Sequence, residues 1–334
     1  MKITQIILIF SVFFLLAPLS LSAENQNTSA AFEQYLYQVA KDAEKLGVKE
    51  ETIKKYLLSI KAPKSPEQSK QAKDLKSEPQ DNLTFKKYIA LFITSEKIQR
   101  ARELYQKHLP LLRSIQRVYH VQPEYVIAIW GIESDFGKDM GDYPLMRSLA
   151  LVSFADQKSQ YMHQQLIDAL VMLDRPTVTS EQLKSAFDGG MGQTQFEPSS
   201  YLRYGVDFDH NGFPNIWTSL PDVFASISYY LQQNGWIGQQ TWGIQITLPK
   251  KFDKNLTGLK IEKFNREWNA LGIRQTNGAA LPELPGKTSI LTLPWPDSPT
   301  FLVYPNFHVL LSWNNTDLES LAIGYLADAI VNGY

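Results

Sequence analysis

The sequence PEYVIAIWGIESDFG, residues 123–137, is the segment from which the rest of the chain can be interpreted. Pro123 suits the first position of a helix, because the N–H that proline lacks would be unpaired there, and Gly137 suits a position just beyond the last turn. Trp130 and Glu133 recur at helical spacing, so the carboxyl of Glu133 is expected on the apolar stripe that faces the interior. The segment therefore predicts a helix that carries one acid near its end.

Two effects are expected to raise the pKa of the Glu133 carboxyl. Burial beside Ile129 and Trp130 disfavours the charged form, and so does the negative end of the helix dipole. A glutamate that keeps its proton near neutral pH can act as a general acid, which glycosidic bond cleavage requires because the departing sugar oxygen is a poor leaving group until it is protonated. A glutamate in a last helical turn can equally be exposed or paired in a structural network, and this segment alone leaves both interpretations open.

The composition excludes several classes of protein. The 334 residues allow one large or two modest domains, and the balance of 33 basic against 34 acidic residues favours neither a nucleic acid partner nor a polybasic membrane patch. There is no cysteine, which excludes disulfides, thiolate metal sites, cysteine nucleophiles and a lipid-modified N-terminal cysteine. The five histidines show no zinc-ligand spacing, and neither a GxSxG elbow nor a P-loop occurs.

Residues 1–23 have the features of an export signal. Lys2 supplies a positive charge, a run of apolar residues follows, and LSA precedes Glu24 as a small-residue cleavage site. Cleavage near Glu24 and retention as an uncleaved anchor are both compatible with so short an apolar run. If the chain is exported, we expect it to be free in its compartment.

Helical periodicity dominates the chain up to about residue 242. Helical segments are expected at 31–60 with a break at Gly47, at 84–119 with Pro110 as a residue where the helix could break, and at 145–154, 160–173 and 221–235. Residues 61–82, rich in Lys, Pro, Ser and Gln, are expected to form a surface linker. Strand-like runs at about 243–306 indicate a small β subdomain, and residues 316–330 return to a helix.

Four motifs occur in order along the chain: YVIAIWGIESDFG at 125–137, GGMGQTQFEPSSY at 189–201, VDFDHNGFPNIWTSLPDVFASISYYLQQNGW at 206–236, and FLVYPNFHVLLSWNNTDLESLAIGYLADAI at 301–330. Together they resemble the lytic murein transglycosylase B family of bacterial cell-wall enzymes, and the similarity runs from about Phe32 to the C-terminus. The resemblance implies a mainly α fold. A lysozyme-like helical core at 113–334 would include the small β subdomain, and an N-terminal helical region at 24–112 would precede it.

The resemblance also implies an activity. The family cleaves the β-1,4 bond between N-acetylmuramic acid and N-acetylglucosamine without water, and Glu133 matches its single catalytic acid. Glu133 would protonate the glycosidic oxygen and then take the proton of the muramic acid 6-hydroxyl, which closes on C1 to give a 1,6-anhydro product. We therefore expect a periplasmic lytic transglycosylase that acts on peptidoglycan strands, needs no cofactor, and has cell-wall synthesis or division proteins as further candidate partners. A hydrolytic muramidase on the same scaffold and a non-catalytic peptidoglycan-binding protein are the alternatives.

Three further residues match positions that the family uses to bind the saccharide. Gln195 matches a groove glutamine whose amide could both donate and accept hydrogen bonds with a sugar. Tyr230 matches a groove tyrosine, and Asn314 matches a polar residue near the scissile bond. Without the resemblance, the expected roles are a loop-stabilising amide for Gln195, a core aromatic for Tyr230 and a turn residue for Asn314.

The chain departs from the family pattern at four positions. Ala186 stands where the family often has serine, so a hydroxyl close to the catalytic glutamate is expected to be missing, and Asp188 adds an acid nearby. Glu197 replaces an apolar residue. Glu319 stands where the family commonly has tyrosine, which puts one groove contact in doubt.

The segment DFDHNG resembles the start of an EF-hand loop, which some members of the family use to hold calcium. Asp207, Asp209 and Asn211 occupy alternating positions, but Thr218 stands at the twelfth position in place of a closing glutamate, and only Asp222 beyond it could reach back. The four candidate ligands of a Ca²⁺ ion are Asp207, Asp209, Asn211 and Asp222. The alternative is a turn stabilised by aspartate and asparagine side chains with no ion.

Overall fold

The computed structural model describes residues 17–62, 84–175 and 183–332. Most of the predicted export signal, up to residue 16, and most of the predicted linker, from residue 63 to 82, lie outside the described residues. Within those ranges, no helix combines the length and the apolar character needed to cross a membrane.

The described ranges are mainly α, as the sequence predicts, with two small antiparallel sheets. The helices are α1 Ala17–Lys45, α2 Glu50–Tyr56, α3 Phe85–Phe92, α4 Ser95–Tyr119, α5 Pro123–Ser134, α6 Leu145–Ala155, α7 Gln160–Leu173, α8 Pro198–Tyr204, α9 Leu220–Gln233, α10 Asn265–Ala270, α11 Pro305–Trp313 and α12 Asp317–Val331. The strands are β1 Tyr143–Pro144, β2 Lys184–Ser185, β3 Gly243–Thr247, β4 Gly258–Lys263, β5 Arg274–Gln275, β6 Thr288–Thr292 and β7 Thr300–Val303.

The chain divides into two compact units. One comprises Met1–Glu78, Gly141–Gly190 and Phe196–Leu202, and the other comprises Pro79–Met140, Met191–Gln195 and Arg203–Tyr334. In the first unit α1 packs against α7 and α6, and β1 pairs with β2. The predicted break after the first helix is confirmed at Gly47, which adopts a left-handed φ of 85° between α1 and α2.

The second unit is built around α5, which packs against α12, α4 and α9. It also holds a five-stranded antiparallel sheet in the order β4-β6-β7-β3-β5. The strand-like runs predicted at about 243–306 contain β3, β6 and β7. The sequence prediction missed β4 and β5, because β4 is only partly buried and β5 has two residues.

Helix α4 continues through Pro110, so the break that was possible at this residue does not occur. Proline removes the hydrogen bond to the carbonyl four residues earlier, here that of Gln106. Both Pro110 and Gln106 lie on the exposed side of the helix, where water can satisfy that carbonyl. The buried face, with Leu104 and Leu112, keeps the helix packed on both sides of the proline.

Candidate active site

Helix α5 carries Glu133 in its last turn, as predicted, and the side chain is half-buried. All seven residues from Tyr125 to Gly131 are buried, so the helix is covered on every side and not along one stripe. A helix that is apolar all round belongs in the core of a protein. Glu133 is therefore an acid placed where the central helix of its unit emerges from that core.

The chain leaves α5 earlier than Gly137 alone would indicate. Asp135, Phe136 and Gly137 have successive left-handed φ values of 45°, 61° and 82°. The carboxylate of Asp135 pairs with Lys97 at 3.6 Å and Lys138 at 3.1 Å, which places Asp135 at the helix end in a structural role. The reversal ends the helix one residue after Glu133, so Glu133 belongs to the last turn. In this turn the Gly131 carbonyl accepts from Lys97 Nζ at 3.0 Å, and the Ser134 carbonyl accepts from the Asp139 N–H at 2.9 Å.

The junction of α11 and α12 supplies the partners of the Glu133 carboxyl. The indole Nε1 of Trp313 donates a hydrogen bond of 2.6 Å to Glu133 Oε1. The carboxyl of Glu319, in the first turn of α12, is hydrogen-bonded to the Glu133 carboxyl. The amide of Asn314 in turn donates to Glu319 Oε2. Asn314, predicted as a substrate-binding residue, thus lies beside the catalytic candidate and is half-buried.

Glu319 is 6% exposed and is the buried acid of this cluster. Burial raises the pKa of Glu319, while its hydrogen bonds with Asn314 and Glu133 act in the opposite direction. The buried phenol of Tyr88, on α3, interacts electrostatically with both acids. Its pKa is raised by burial first and then by the negative charges of Glu319 and Glu133. Two carboxyls and a phenol therefore share one poorly solvated region.

The sequence identifies Glu319 only as the residue that stands in place of a family tyrosine. It does not predict the contact of Glu319 with Glu133. Thr316 and Glu319 have the spacing of a capping box, in which a glutamate turns back to the N-cap at the surface. Thr316 does cap α12, since its Oγ1 accepts the Glu319 N–H at 3.4 Å. The Glu319 carboxyl instead turns to Asn314 and Glu133. The signal available was a second acid, after Asp317, in the first turn of a helix that is otherwise mainly apolar.

Tyr230 lies behind Trp313 and is 8% exposed. Its hydroxyl donates to the carbonyl of Ser312, and its ring centroid lies 4.7 Å from that of Trp313 at an interplanar angle of 66°. The ring of Tyr204 packs against it at 4.6 Å. These contacts fix the indole that hydrogen-bonds Glu133.

Gln195 follows a short 3₁₀ turn and adopts a left-handed φ of 50°. Its side chain is half-buried, and its amide nitrogen donates to the carbonyl of Gly192 at 2.8 Å. The segment that holds Gln195 is fastened to the end of α5, because the Ser134 hydroxyl donates to the carbonyl of Gln193 at 2.8 Å.

The anchoring residue of this segment is Gln193, which the sequence prediction did not identify. Its Oε1 accepts from Trp130 Nε1 at 2.8 Å, and its Nε2 donates to the carbonyl of Trp217 at 2.8 Å. A Cβ atom on Gly137 would lie 2.3 Å from Gln193 Oε1, so glycine is required there by close contact as well as by its positive φ. The sequence does not distinguish Gln193 from Gln195, since both are polar residues of one glycine-rich segment.

Three departures from the family pattern lie in the first unit, where each residue has local partners. They are Ala186, Asp188 and Glu197. The Ala186 N–H donates to Gly190 at 2.8 Å, and Asp188 Oδ1 accepts the Gly190 N–H at 3.3 Å. Glu197 accepts a hydrogen bond from the hydroxyl of Tyr161. The added acids thus have structural partners within their own unit.

The aspartates of the predicted calcium loop lie together. Carboxylate oxygens of Asp207, Asp209 and Asp222 lie within 4.8 Å of one another. Asp222 is fully buried and accepts the N–H groups of Phe208 at 2.8 Å and Asn215 at 2.8 Å. Burial raises the pKa of Asp222, these hydrogen bonds lower it, and the charge of Asp209 raises it again.

The loop is also held by its own hydrogen bonds. The Asn211 N–H donates to Asp207 at 2.9 Å and to Asp209 at 3.1 Å, and the Gly212 N–H donates to Asp207 at 2.9 Å. The hydroxyl of Ser219 donates to Asp209 at 2.8 Å. Oxygens on one Ca²⁺ ion lie at most about 5 Å apart, given Ca–O distances of about 2.3–2.6 Å. The three carboxylates therefore fit a shared cation.

Residues 31–328 match the model of a family described as the transglycosylase SLT domain. Over 152 residues the chain is 32% identical to membrane-bound lytic murein transglycosylase B of Escherichia coli (strain K12). That match covers 45% of this chain and 42% of the E. coli protein, so it spans less than half the length of this curated relative.

Solved structures of SltB3 and of Slt35 share the fold over most of the chain. SltB3 from Pseudomonas aeruginosa, solved in complexes with NAG-anhNAM-pentapeptide and NAG-NAM-pentapeptide, is 32% identical with a TM-score of 0.82 and covers 90% of this chain and 80% of SltB3. Escherichia coli Slt35 in complex with calcium is 24% identical with a TM-score of 0.74 and covers 90% of this chain and 92% of Slt35, a likeness that concerns the fold alone. The lysozyme-like fold implied by the sequence is confirmed, and the chain belongs to the transglycosylase SLT domain family.

Proposed function

We propose that this chain is a peptidoglycan lytic transglycosylase that uses Glu133 as its single acid and base, with residues 113–334 as its catalytic core. The observation that carries the proposal is the position of Glu133. Its carboxyl lies at the end of a fully covered helix and is oriented by Trp313 Nε1 at 2.6 Å. Low solvation and the negative helix end both favour the protonated form, as a general acid near neutral pH requires.

In the proposed reaction, Glu133 gives its proton to the glycosidic oxygen as the bond from that oxygen to C1 of N-acetylmuramic acid breaks. The resulting Glu133 carboxylate then removes the proton of the 6-hydroxyl as that oxygen bonds to C1. The glutamate returns to its protonated form, no water enters, and the glycan strand carries a 1,6-anhydro end. One carboxyl performs both proton transfers.

The contact between Glu133 and Glu319 favours this reaction over hydrolysis. Hydrolytic glycosidases usually place two carboxyls on either side of the scissile bond, about 5–5.5 Å apart in retaining and about 6.5–9.5 Å apart in inverting enzymes. The Glu319 carboxyl instead interacts directly with the Glu133 carboxyl, so the two do not stand on opposite sides of a sugar. Glu319 is therefore badly placed to act as the second carboxyl of a hydrolase.

The proposed substrate is peptidoglycan, by analogy with the NAG-NAM-pentapeptide bound by SltB3. We assign Gln195 and Asn314 to substrate binding, because both are half-buried and polar and belong to segments joined to the end of α5. Tyr230 contributes by packing on Trp313. We further propose that residues 1–23 direct export, so that the enzyme acts in the periplasm.

We also propose that the loop at Asp207, Asp209, Asn211 and Asp222 takes up Ca²⁺ as a structural ion. Carboxylate oxygens have enough lone pairs to accept a backbone N–H and still ligate a cation, and three acids within 4.8 Å repel one another unless a cation balances them. The ion would stabilise the loop and take no part in the reaction.

The test of the proposed function is Glu133→Gln. The amide keeps the size of the side chain and cannot donate a carboxylic proton, so release of soluble fragments from purified peptidoglycan should fall by at least about 100-fold while the unfolding transition stays in place. Glu124→Gln makes the same change at the other end of α5 and should leave cleavage unchanged. A native chain that binds peptidoglycan but releases nothing, with Glu133→Gln behaving identically, would establish the non-catalytic alternative.

A further inference from the structure

The carboxyls of Glu133 and Glu319 form a pair that must hold a proton. Two carboxylates offer only acceptors, so a hydrogen bond between them requires one of them to be protonated. Two carboxylates in contact also repel strongly, which opposes loss of that last proton. Because Glu319 is 6% exposed, water does little to weaken this coupling.

The two helices decide which acid keeps the proton. Glu133 lies in the last turn of α5, where the carbonyl end of the helix disfavours a negative charge. Glu319 is the third residue of α12, where the N–H end favours one, and it also accepts a hydrogen bond from the Asn314 amide. Trp313 donates to one oxygen of Glu133, which leaves the other oxygen to carry the proton. Burial opposes a charge on Glu319 by raising its pKa, but the hydrogen bonds with Asn314 and Glu133 lower that pKa. Together with the two helix ends, these hydrogen bonds place the charge on Glu319 and the proton on Glu133.

We propose that Glu319 is a positioning residue whose carboxylate holds the reactive proton on Glu133 near neutral pH, an inference that rests on the proposed function. In the first step Glu133 passes this proton to the glycosidic oxygen. The Glu133 carboxylate then stands beside the Glu319 carboxylate, and the repulsion between them makes Glu133 a stronger base for the 6-hydroxyl proton. Glu319 itself neither gains nor loses a proton over the cycle.

Other titratable groups lie on the elements packed around the pair. They are Tyr88 of α3, Lys97 and His108 of α4, Tyr230 of α9, Asp317 of α12, and Asp135 just beyond α5.

Tyr88 interacts with both acids of the pair. Lys97, His108 and Asp317 have partners or pKa shifts of their own. The ammonium of Lys97 binds the Gly131 carbonyl at 3.0 Å and Asp135 at 3.6 Å. Burial lowers the pKa of His108, whose ring lies 6.3 Å from that of Trp130, so it is neutral at neutral pH. Burial raises the pKa of Tyr88, which keeps the phenol uncharged, and burial also raises the pKa of Asp317.

The test is the pH dependence of kcat/KM on soluble glycan strands for the native chain and three variants. Glu319→Gln removes the charge next to Glu133, which should lower the pKa of Glu133. The alkaline limb of the pH–rate profile should therefore move toward acid pH by about one pH unit or more. Glu319→Asp keeps a charge and should restore most of the native limb. Glu283→Gln, at an exposed site in the same unit, should leave the profile unchanged. A purely structural role for Glu319 would lower the rate at every pH without moving the limb, and that result would overturn the inference.

A second measurement keeps the inference testable if Glu319→Gln does not fold. In the intact native protein labelled with ¹³C at the glutamate carboxyls, two carboxyls should titrate as a coupled pair, and the coupling should vanish in Glu133→Gln. Independent titration of every carboxyl at ordinary values would overturn it. If the native chain releases reducing ends that Glu319→Gln no longer produces, Glu319 is the base for water and the inference fails. A native chain that cleaves nothing refutes the proposed function alone, because the titration still reports on the pair.

Discussion

The indole nitrogen of Trp313 lies 2.6 Å from the carboxyl of Glu133, 180 residues away in sequence. Trp313 itself is held by the ring of Tyr230, whose hydroxyl donates to the carbonyl of Ser312. The acid is thus oriented by the end of α11, which other helices fix in place. Orientation of this kind is what a proton donor needs if its reach to the scissile oxygen is to be reproducible.

Trp313→Phe should lower kcat while leaving the fold intact. Phenylalanine keeps an aromatic ring against Tyr230 and removes the N–H donor to Glu133. A hydrogen bond to an ionisable group contributes about 1.5–3 kcal/mol, so we expect a loss of about 10- to 100-fold in the rate of glycan release. Trp295→Phe, in the loop between β6 and β7, is the matched control. An unchanged rate in Trp313→Phe would show that the indole does not orient the acid.

Replacing Gln193 by leucine should reduce the stability of the fold, whereas replacing Gln195 by leucine should weaken glycan binding. Gln193→Leu leaves the Trp130 N–H and the Trp217 carbonyl without partners in the core, which should lower the free energy of unfolding by about 2–4 kcal/mol. Gln195→Leu should leave unfolding within about 0.5 kcal/mol and raise KM for glycan strands. Denaturant unfolding and steady-state kinetics on both variants separate the two roles, and equal stability losses would contradict the assignment.

Calcium should raise the midpoint of thermal unfolding, and a chelator should reverse the effect. The increase comes from binding to the folded state alone, and at 100 times the dissociation constant it amounts to about 2.7 kcal/mol. Asp209→Asn removes a charge from the cluster and should abolish most of the shift. Mg²⁺, which demands a smaller octahedral site, should have little effect. The same shift with and without Asp209 would mean that calcium does not bind here.

Asp328 should make the folded state less stable as the pH rises from about 4 to 6. Burial raises its pKa to about 6, against a hydrogen bond from Trp242 Nε1 that lowers it. The folded chain therefore binds a proton more tightly than the unfolded chain, so stability is lost as pH rises from the unfolded value through the folded one. Asp328→Asn keeps an acceptor for Trp242 and should be more stable than the native chain by up to about 3 kcal/mol at pH 7. The difference should vanish near pH 3, and urea unfolding at both pH values measures it.

The sequence predicted the elements whose signals are local. Pro123 at the start of α5 and Gly47 between α1 and α2 have conformational requirements that depend only on neighbouring residues. The effect of Pro110 could not be predicted from the sequence. The free-energy cost of a proline inside a helix depends on whether water reaches the carbonyl that the proline leaves unpaired, and this depends on how the helix packs. Helix α5 ends at Ser134, and the left-handed residue that follows is Asp135, which has no intrinsic preference strong enough to mark a helix end.

The position of Glu133 near the end of α5 was predictable because it depends on one helix, whereas contacts between two distant segments were less so. The contact of Glu319 with Glu133 joins α12 to α5, and no spacing within either helix indicates it. The local pattern from Thr316 to Glu319 favoured a surface cap, and tertiary packing placed the carboxyl elsewhere. Gln193 was missed for the same reason, because its partners Trp130 and Trp217 belong to other segments.

The most direct test of the central claim is the mass spectrum of the glycan fragments that the native chain releases from purified peptidoglycan. If Glu133 transfers the proton of the 6-hydroxyl and no water enters, the new ends will be 1,6-anhydromuramic acid, one water lighter than a reducing end, and Glu133→Gln will release none. Reducing muramic acid ends from the native chain would contradict the account, because water would then be the nucleophile.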